Sequence, residues 1–184
     1  MKLILNAIDN TGYGTQGKIF LEFEEPFWPT DVKTWASYIL LWKQEDKDKL
    51  IGREREWLLG ITSFIREDAQ PNLIGGLTAG KHIKQFEDIS DQQLIDDCMW
   101  LLEKFLGRAQ LRPIDMRRNR WMSKKYFLGT YSYGSMVTQT HNVEMGKDLG
   151  ETLYSQDKKS ILLIVGEATD EAHSGYVHGA VASG

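Results

Sequence analysis

Gly12-Tyr13-Gly14-Thr15-Gln16-Gly17, followed without a break by Lys18-Ile19-Phe20-Leu21-Glu22-Phe23-Glu24-Glu25, is the stretch on which the fold turns. Its first six residues match the G-x-G-x-x-G dinucleotide fingerprint letter for letter. That fingerprint works only when a helix comes directly after it, because the N-terminus of the helix holds the pyrophosphate. Residues 18–24 alternate instead. Ile19, Leu21 and Phe23 fall on one side and Lys18, Phe20, Glu22 and Glu24 on the other, which is the period of a half-buried strand. Pro26 and Pro29 close it. The glycines are therefore read as a turn into a strand, and any phosphate-binding loop is expected elsewhere, upstream of Met1.

Working outward, the apolar runs 38–42 and 57–64 have strand-like length and aromatic or β-branched content. The mixed charge run 43–49 between them reads as a solvated hairpin loop. Residues 73–79 read as a further short strand, in which Gly75 and Gly76, with Gly80 just beyond, indicate a bend or close packing. The clearest helix starts after Ser90, which forms a capping box with Gln93, and stops at Gly107. Leu94, Cys98, Leu101, Leu102 and Phe105 make its buried stripe. Near the end, Ile161-Leu162-Leu163-Ile164-Val165 is wholly apolar, as in a strand covered on both faces of an α/β sheet. A glycine-rich turn and a helix starting near Gly175 come next, and that helix reads as continuing past Gly184. The irregular alternation predicts an α+β fold with an α/β element at its end. The single plausible joint, near residues 116–121, divides the chain into 1–117 and 118–184.

Composition narrows the function. At 184 residues, 41% apolar and 26% charged, with six tryptophans that need burial, the chain belongs with soluble globular proteins. A formal charge of −4 and a pI near 5.6 offer no general attraction to nucleic acid or anionic membrane, so cationic small molecules are the natural partners. Cys98, the one cysteine, excludes an internal disulfide and a cysteine-rich zinc site, and among apolar neighbours it reads as an inert buried thiol. His82, His141 and His173 are too scattered for a metal site, so no metal is expected. No apolar run reaches the length of a membrane span, and residues 1–8 are too short for a secretory signal. The expected compartment is the cytoplasm, with the peroxisome left open because the C-terminal helix reads as incomplete.

Four pieces carry a resemblance. They are residues 14–28, with the string K-I-F-L-E-F-E-E-P-F-W; Arg120-Trp121; Gly129-Thr130-Tyr131-Ser132-Tyr133; and Gly166-Glu167-Ala168-Thr169 with Gly175-Tyr176-Val177-His178-Gly179-Ala180. In this order they resemble the flavin-containing amine oxidases, and the first string is particularly similar to spermine and acetylpolyamine oxidases. The resemblance implies a mixed substrate-binding sheet with helices, followed by the returning strand and helix of an FAD-binding α/β domain whose N-terminal Rossmann part is absent here. It implies FAD as cofactor, and a polyamine and oxygen as reactants. By the same resemblance Lys18 is the catalytic lysine that holds a water beside flavin N5. Tyr131 and Tyr176 flank the substrate amine, and Trp121 packs near the flavin and the substrate channel. Gly166 and Glu167 lie at the flavin linker, Glu167 bonding its hydroxyls, and Tyr176 and Val177 lie at the ring, Val177 offering a backbone N–H.

On the residues alone, several of these positions read otherwise. Lys18 is a solvent-facing charge at a strand start, Tyr131 and Tyr176 are core tyrosines, and Glu167 is an exposed acid near a helix N-terminus. His178 packs or bonds locally. Against the resemblance, Met122, Lys124 and Lys125 stand where many relatives have glycine after the tryptophan and an asparagine or aspartate followed by proline before the aromatic pair, which leaves the flavin contacts as implied but not the substrate entrance. The cluster Arg112, Arg117, Arg118 and Arg120 reads as a solvated joint. Two other functions compete with a polyamine oxidase. One is a non-catalytic remnant or interaction module unable to bind FAD alone, favoured by the missing fingerprint. The other is a histone lysine demethylase, disfavoured by the acidic pI.

Overall fold

The computed structural model describes residues 2–31, 37–107 and 112–184. They form a mixed α+β structure whose residues gather into two compact units, one of residues 1–14 with 129–184 and the other of residues 15–128. The chain begins in the first unit with helix α1 (Lys2–Asn10) and strand β1 (Gly12–Gly14). It then builds the whole second unit. This contains β2 (Gln16–Glu22), β3 (Ser37–Ile39), α2 (Gln44–Leu50), β4 (Ile61–Arg66), β5 (Leu73–Ala79), α3 (Ile83–Asp88), α4 (Asp91–Leu106) and β6 (Asp115–Arg118). The remainder returns to the first unit as β7 (Tyr131–Tyr133), α5 (Met136–Thr140), α6 (Met145–Leu149), β8 (Leu153–Tyr154), β9 (Ser160–Leu162) and α7 (Val177–Ser183).

No helix succeeds the glycine run. Gly17 already lies in β2, which pairs antiparallel with β5 on one side and β6 on the other. The five-stranded sheet runs in the order β3-β4-β5-β2-β6. Strand alternation then decides what is covered: Ile19, Leu21 and Phe23 are buried, whereas Lys18 is exposed and Phe20 half-buried. Behind the sheet lies α4, whose Leu94, Cys98, Leu101 and Leu102 join Ile19, Trp57, Phe64, Ile74 and Phe86 in one apolar core. The expected cap is there: Ser90 Oγ accepts from Gln93 N–H at 3.1 Å, and Gly107 closes the helix on Glu103. The reciprocal half of the capping box is not formed, because the Gln93 side chain donates to Asp97 instead. Gly76 also does what its place in β5 suggested, since a Cβ there would stand 2.8 Å from Ile19 and 3.0 Å from Phe64. Cys98 is fully buried, and burial together with the charge of Asp97 pushes its thiol far up, as an inert thiol requires.

Other expectations need correction. The run 43–49, read as a hairpin loop, lies almost wholly in helix α2 (Gln44–Leu50), tied by Gln44 to Asp48 and by Lys104 to Asp46, with Leu50 as its buried foot. The run 57–64 begins as a 3-10 turn, Glu56–Gly60, and becomes a strand only at Ile61. This turn buries Trp57 so that its indole N–H donates to Asp97 at 2.8 Å. Asp97 also accepts from Arg55 and Gln93, a buried carboxylate fully supplied with donors. The arginine cluster is not uniformly solvated. The Arg118 side chain is buried, and its guanidinium binds the Phe86 and Ile89 carbonyls and the Asp91 carboxylate, closing the end of α3. Burial, with Arg120 nearby, lowers its pKa. Residues 161–165 are exposed or half-buried, paired only as the β8–β9 hairpin where a sheet strand covered on both faces was expected.

The joint expected near residues 116–121 falls inside the sheet unit, whose last strand is β6, and the chain passes between units after Gly14 and after Leu128. Helix α1 packs with α5 and α6, burying Ile4 and Ala7, and Thr138 Oγ1 at the start of α5 donates to the Asn10 carbonyl at its end. No described helix is long and apolar enough to cross a membrane.

Candidate flavin and amine site

The seven positions singled out by motif divide between the units. Lys18 and Trp121 belong to the sheet unit; Tyr131, Gly166, Glu167, Tyr176 and Val177 belong to the other.

In the sheet unit, Lys18 stands on the open face of β2, on the rim of a pocket of about 220 Å³ that Phe20, Glu67, Gly75 and Leu77 also line. Its main chain is fixed by Asn119, which accepts from the Lys18 N–H at 2.5 Å, donates to the Lys18 carbonyl at 3.2 Å and reaches the Gln16 carbonyl at 3.3 Å. Trp121 is half-buried against Phe127, centroids 4.7 Å apart, with Lys124 Nζ 4.4 Å above its ring. That placement is a cation–π contact. Lys124, one of the residues that depart from the relatives' pattern, therefore covers the tryptophan rather than standing free. The loop after Trp121 is held by Glu87, whose carboxylate accepts from Met122 N–H at 2.8 Å and Ser123 N–H at 2.9 Å.

In the other unit, Tyr131 and Tyr133 sit at the ends of β7 with their side chains exposed, and Ser132 between them is buried. Glu167 opens the 3-10 turn Glu167–Thr169 and turns its carboxylate on Ser132 and on the Gly175 turn. One oxygen accepts from Ser132 N–H at 2.9 Å. The other accepts from Ser132 Oγ at 3.1 Å, Gly175 N–H at 2.7 Å and Ser174 Oγ at 3.5 Å. Tyr176 is the N-cap of α7 and stacks on His178, centroids 5.2 Å apart, and His178 meets His173 edge-on at 4.6 Å. The histidine is thus locally packed, as expected. Tyr131 and Tyr176 are not core tyrosines: both rings reach solvent.

Would these residues accept a flavin? Gly166 and Gly175 have φ of +145° and +84°, conformations open to glycine, and nothing lies within 4 Å of where a Cβ would stand on either. Val177 is 83% exposed. Bare backbone, exposed aromatic rings and an acidic side chain within this unit suit a planar, hydroxyl-bearing cofactor, so the residues fit. Ser132, Asn119 and Glu87 were not foreseen. Each acts through a partner at least 35 residues away, and no local pattern reports such a contact.

Comparison with known proteins defines the class. The model of the flavin containing amine oxidoreductases matches residues 2–184, so the chain belongs to that family, whose cofactor is FAD. Among its relatives are the peroxisomal N(1)-acetyl-spermine/spermidine oxidases of Bos taurus and Homo sapiens. Each is 30% identical, over 98% and 97% of this chain respectively and 35% of the relative. Polyamine oxidase 2 of Arabidopsis thaliana is 28% identical over 97% of this chain and 31% of that protein. The chain thus spans about a third of the length of these curated relatives.

Proposed function

We propose that this chain is the substrate-side part of a polyamine oxidase, working within a longer protein. The observation that carries the reading is the meeting, in one unit, of Tyr131, Glu167 and the Gly175-Tyr176-Val177 turn, which are far apart in sequence and are joined through the Glu167 carboxylate. Gly166, Glu167, Tyr176 and Val177 would hold the FAD. When bound, FAD supplies the two-electron acceptor, taking a hydride from the amine-bearing carbon at N5 and returning the electrons to oxygen as hydrogen peroxide. Tyr131 and Tyr176 would bracket the amine, hold it in line with the ring and keep water from it. Lys18 would steady a water and its proton at the reacting centre. The oxidised C–N bond, as an imine, hydrolyses to an aldehyde and a shorter amine. In this reading the compartment is the cytoplasm or the peroxisome.

Hydride loss needs the neutral amine, so the anaerobic rate of flavin reduction by spermine should rise with pH through the titration of the bound amine. A flat profile would contradict it. The demethylase reading is supported by 28% identity over 97% of this chain and 16% of the relative to a histone demethylase-like protein of Aspergillus fumigatus, and by 25% identity over 97% of this chain and 19% of the relative to lysine-specific histone demethylase 1 homolog 1 of Oryza sativa. Turnover of a methylated histone-tail peptide, with none of spermine, would decide for it. A full-length protein that purifies colourless would favour a non-catalytic remnant instead.

A further inference from the structure

We infer that Glu167 is a positioning residue for the aromatic pair, setting where Tyr131 and Tyr176 stand by holding the main chain beside each of them. The inference rests on the reading that these two rings bracket the amine, and adds the device that spaces them. Tyr131 is next to Ser132 and Tyr176 is next to Gly175; the N–H groups of Ser132 and Gly175 donate to the two oxygens of one carboxylate, at 2.9 and 2.7 Å. Strand alternation does the rest. With Ser132 turned inward, 7% exposed, the rings on either side of it are carried to the outer face of β7.

The carboxylate is itself anchored. Gly166, immediately before it, donates its N–H to Ser183 Oγ at 2.9 Å, and its carbonyl accepts from Ser183 Oγ at 3.0 Å and Thr169 Oγ1 at 2.9 Å. The 3-10 turn is thereby tied to the last residue of α7, whose first turn comes just after Tyr176. Strand β7 and the Gly175 turn are thus fixed to a single side chain, and α7 is tied to the backbone of Gly166 next to it. An ionised carboxylate has only acceptors, about four lone-pair sites, and here it meets four donors. An amide in its place has a single acceptor oxygen. Its NH2 would face the Ser132 N–H or the Gly175 N–H, so one of the two backbones must move.

The test uses the full-length, FAD-loaded protein with spermine as the probe amine. Glu167→Gln is expected to hold its flavin less tightly, so it is assayed at saturating FAD and read per bound flavin. Its flavin reduction, per bound flavin, should fall ~10- to 100-fold, as misplacement of a positioning group does, and KM should rise. Amide hydrogen exchange at Ser132 and Gly175 should speed up. Ser132→Ala, which keeps the N–H and loses only the hydroxyl, should move KM and rate in the same direction by less. Weaker flavin binding with an unchanged rate per bound flavin and unchanged exchange would overturn the inference and leave Glu167 a cofactor ligand only. Tyr131→Ala and Tyr176→Ala separate the two levels. Unchanged KM and rate in both would overturn the bracketing reading and the inference with it, whereas impairment of both alongside a normal Glu167→Gln overturns the inference alone. Should Glu167→Gln not fold, Ser132→Ala decides, and unchanged KM and rate there count against the positioning role.

Discussion

The two units are held together by different forces. In residues 15–128 one apolar core runs from Ile19 through Trp57, Phe64 and Phe86 to Leu102, all essentially out of water. The other unit buries little beyond Ile4 and Ala7 and is tied by polar side chains instead: Thr138 to Asn10, Asn6 to His141, Asp148 to Glu144, and Glu167 to Ser132 and Gly175. Many of its apolar residues face outward, with Ile161 at 66%, Val177 at 83% and Val181 at 74% exposure. Burial is the dominant favourable term in folding, whereas hydrogen bonds mainly specify position. The sheet unit therefore carries most of the apolar burial, and the other unit is held mainly by placed polar bonds.

The largest effect should come from the sealed core. Trp57→Ala removes a fully buried ring and leaves Asp97 without its indole donor, so it should cost about 3–5 kcal/mol in urea unfolding. A loss under about 1 kcal/mol would break the contrast between the units. Next, Lys18→Met on the exposed face of the same sheet should leave unfolding unchanged while slowing flavin reduction or reoxidation ~100-fold in the full-length protein. Stopped-flow absorbance measures it, and unchanged kinetics would remove Lys18 from the mechanism. Third, Glu87→Gln should loosen the loop after Trp121 at a cost of about 1–3 kcal/mol, visible in the thermal midpoint, because a buried carboxylate accepts two backbone N–H groups there. The smallest effect is expected in the other unit. Leu163→Ser should change the stability of this chain by no more than about 0.5 kcal/mol, since the side chain is already 55% exposed. A larger loss would show that the chain covers this residue by itself.

The same contrast separates the elements legible in the sequence from those that were not. Strand β2, strand β5 and helix α4 were legible because their signals are local: alternation, paired glycines and a serine cap with a closing glycine. Helix α2 was not, since a run of charges carries no apolar stripe and its anchors, Lys104 and buried Leu50, lie at or beyond its end. Residues 161–165 were legible as apolar but not as exposed, because a hydrophobic run records that a strand suits covering without saying which residues cover it. At the site, the motif positions were legible by resemblance. Their holders, Glu87, Asn119 and Ser132, were not, since each is fixed by a register set dozens of residues away.

The central claim is that two tyrosines far apart in sequence, Tyr131 and Tyr176, flank one substrate amine. Its most direct test is a structure of the full-length protein with FAD and a bound, unreactive polyamine analogue. The account predicts the analogue's amine between the rings of Tyr131 and Tyr176, with the Val177 N–H directed at the flavin ring. The two rings facing away from the amine would contradict it.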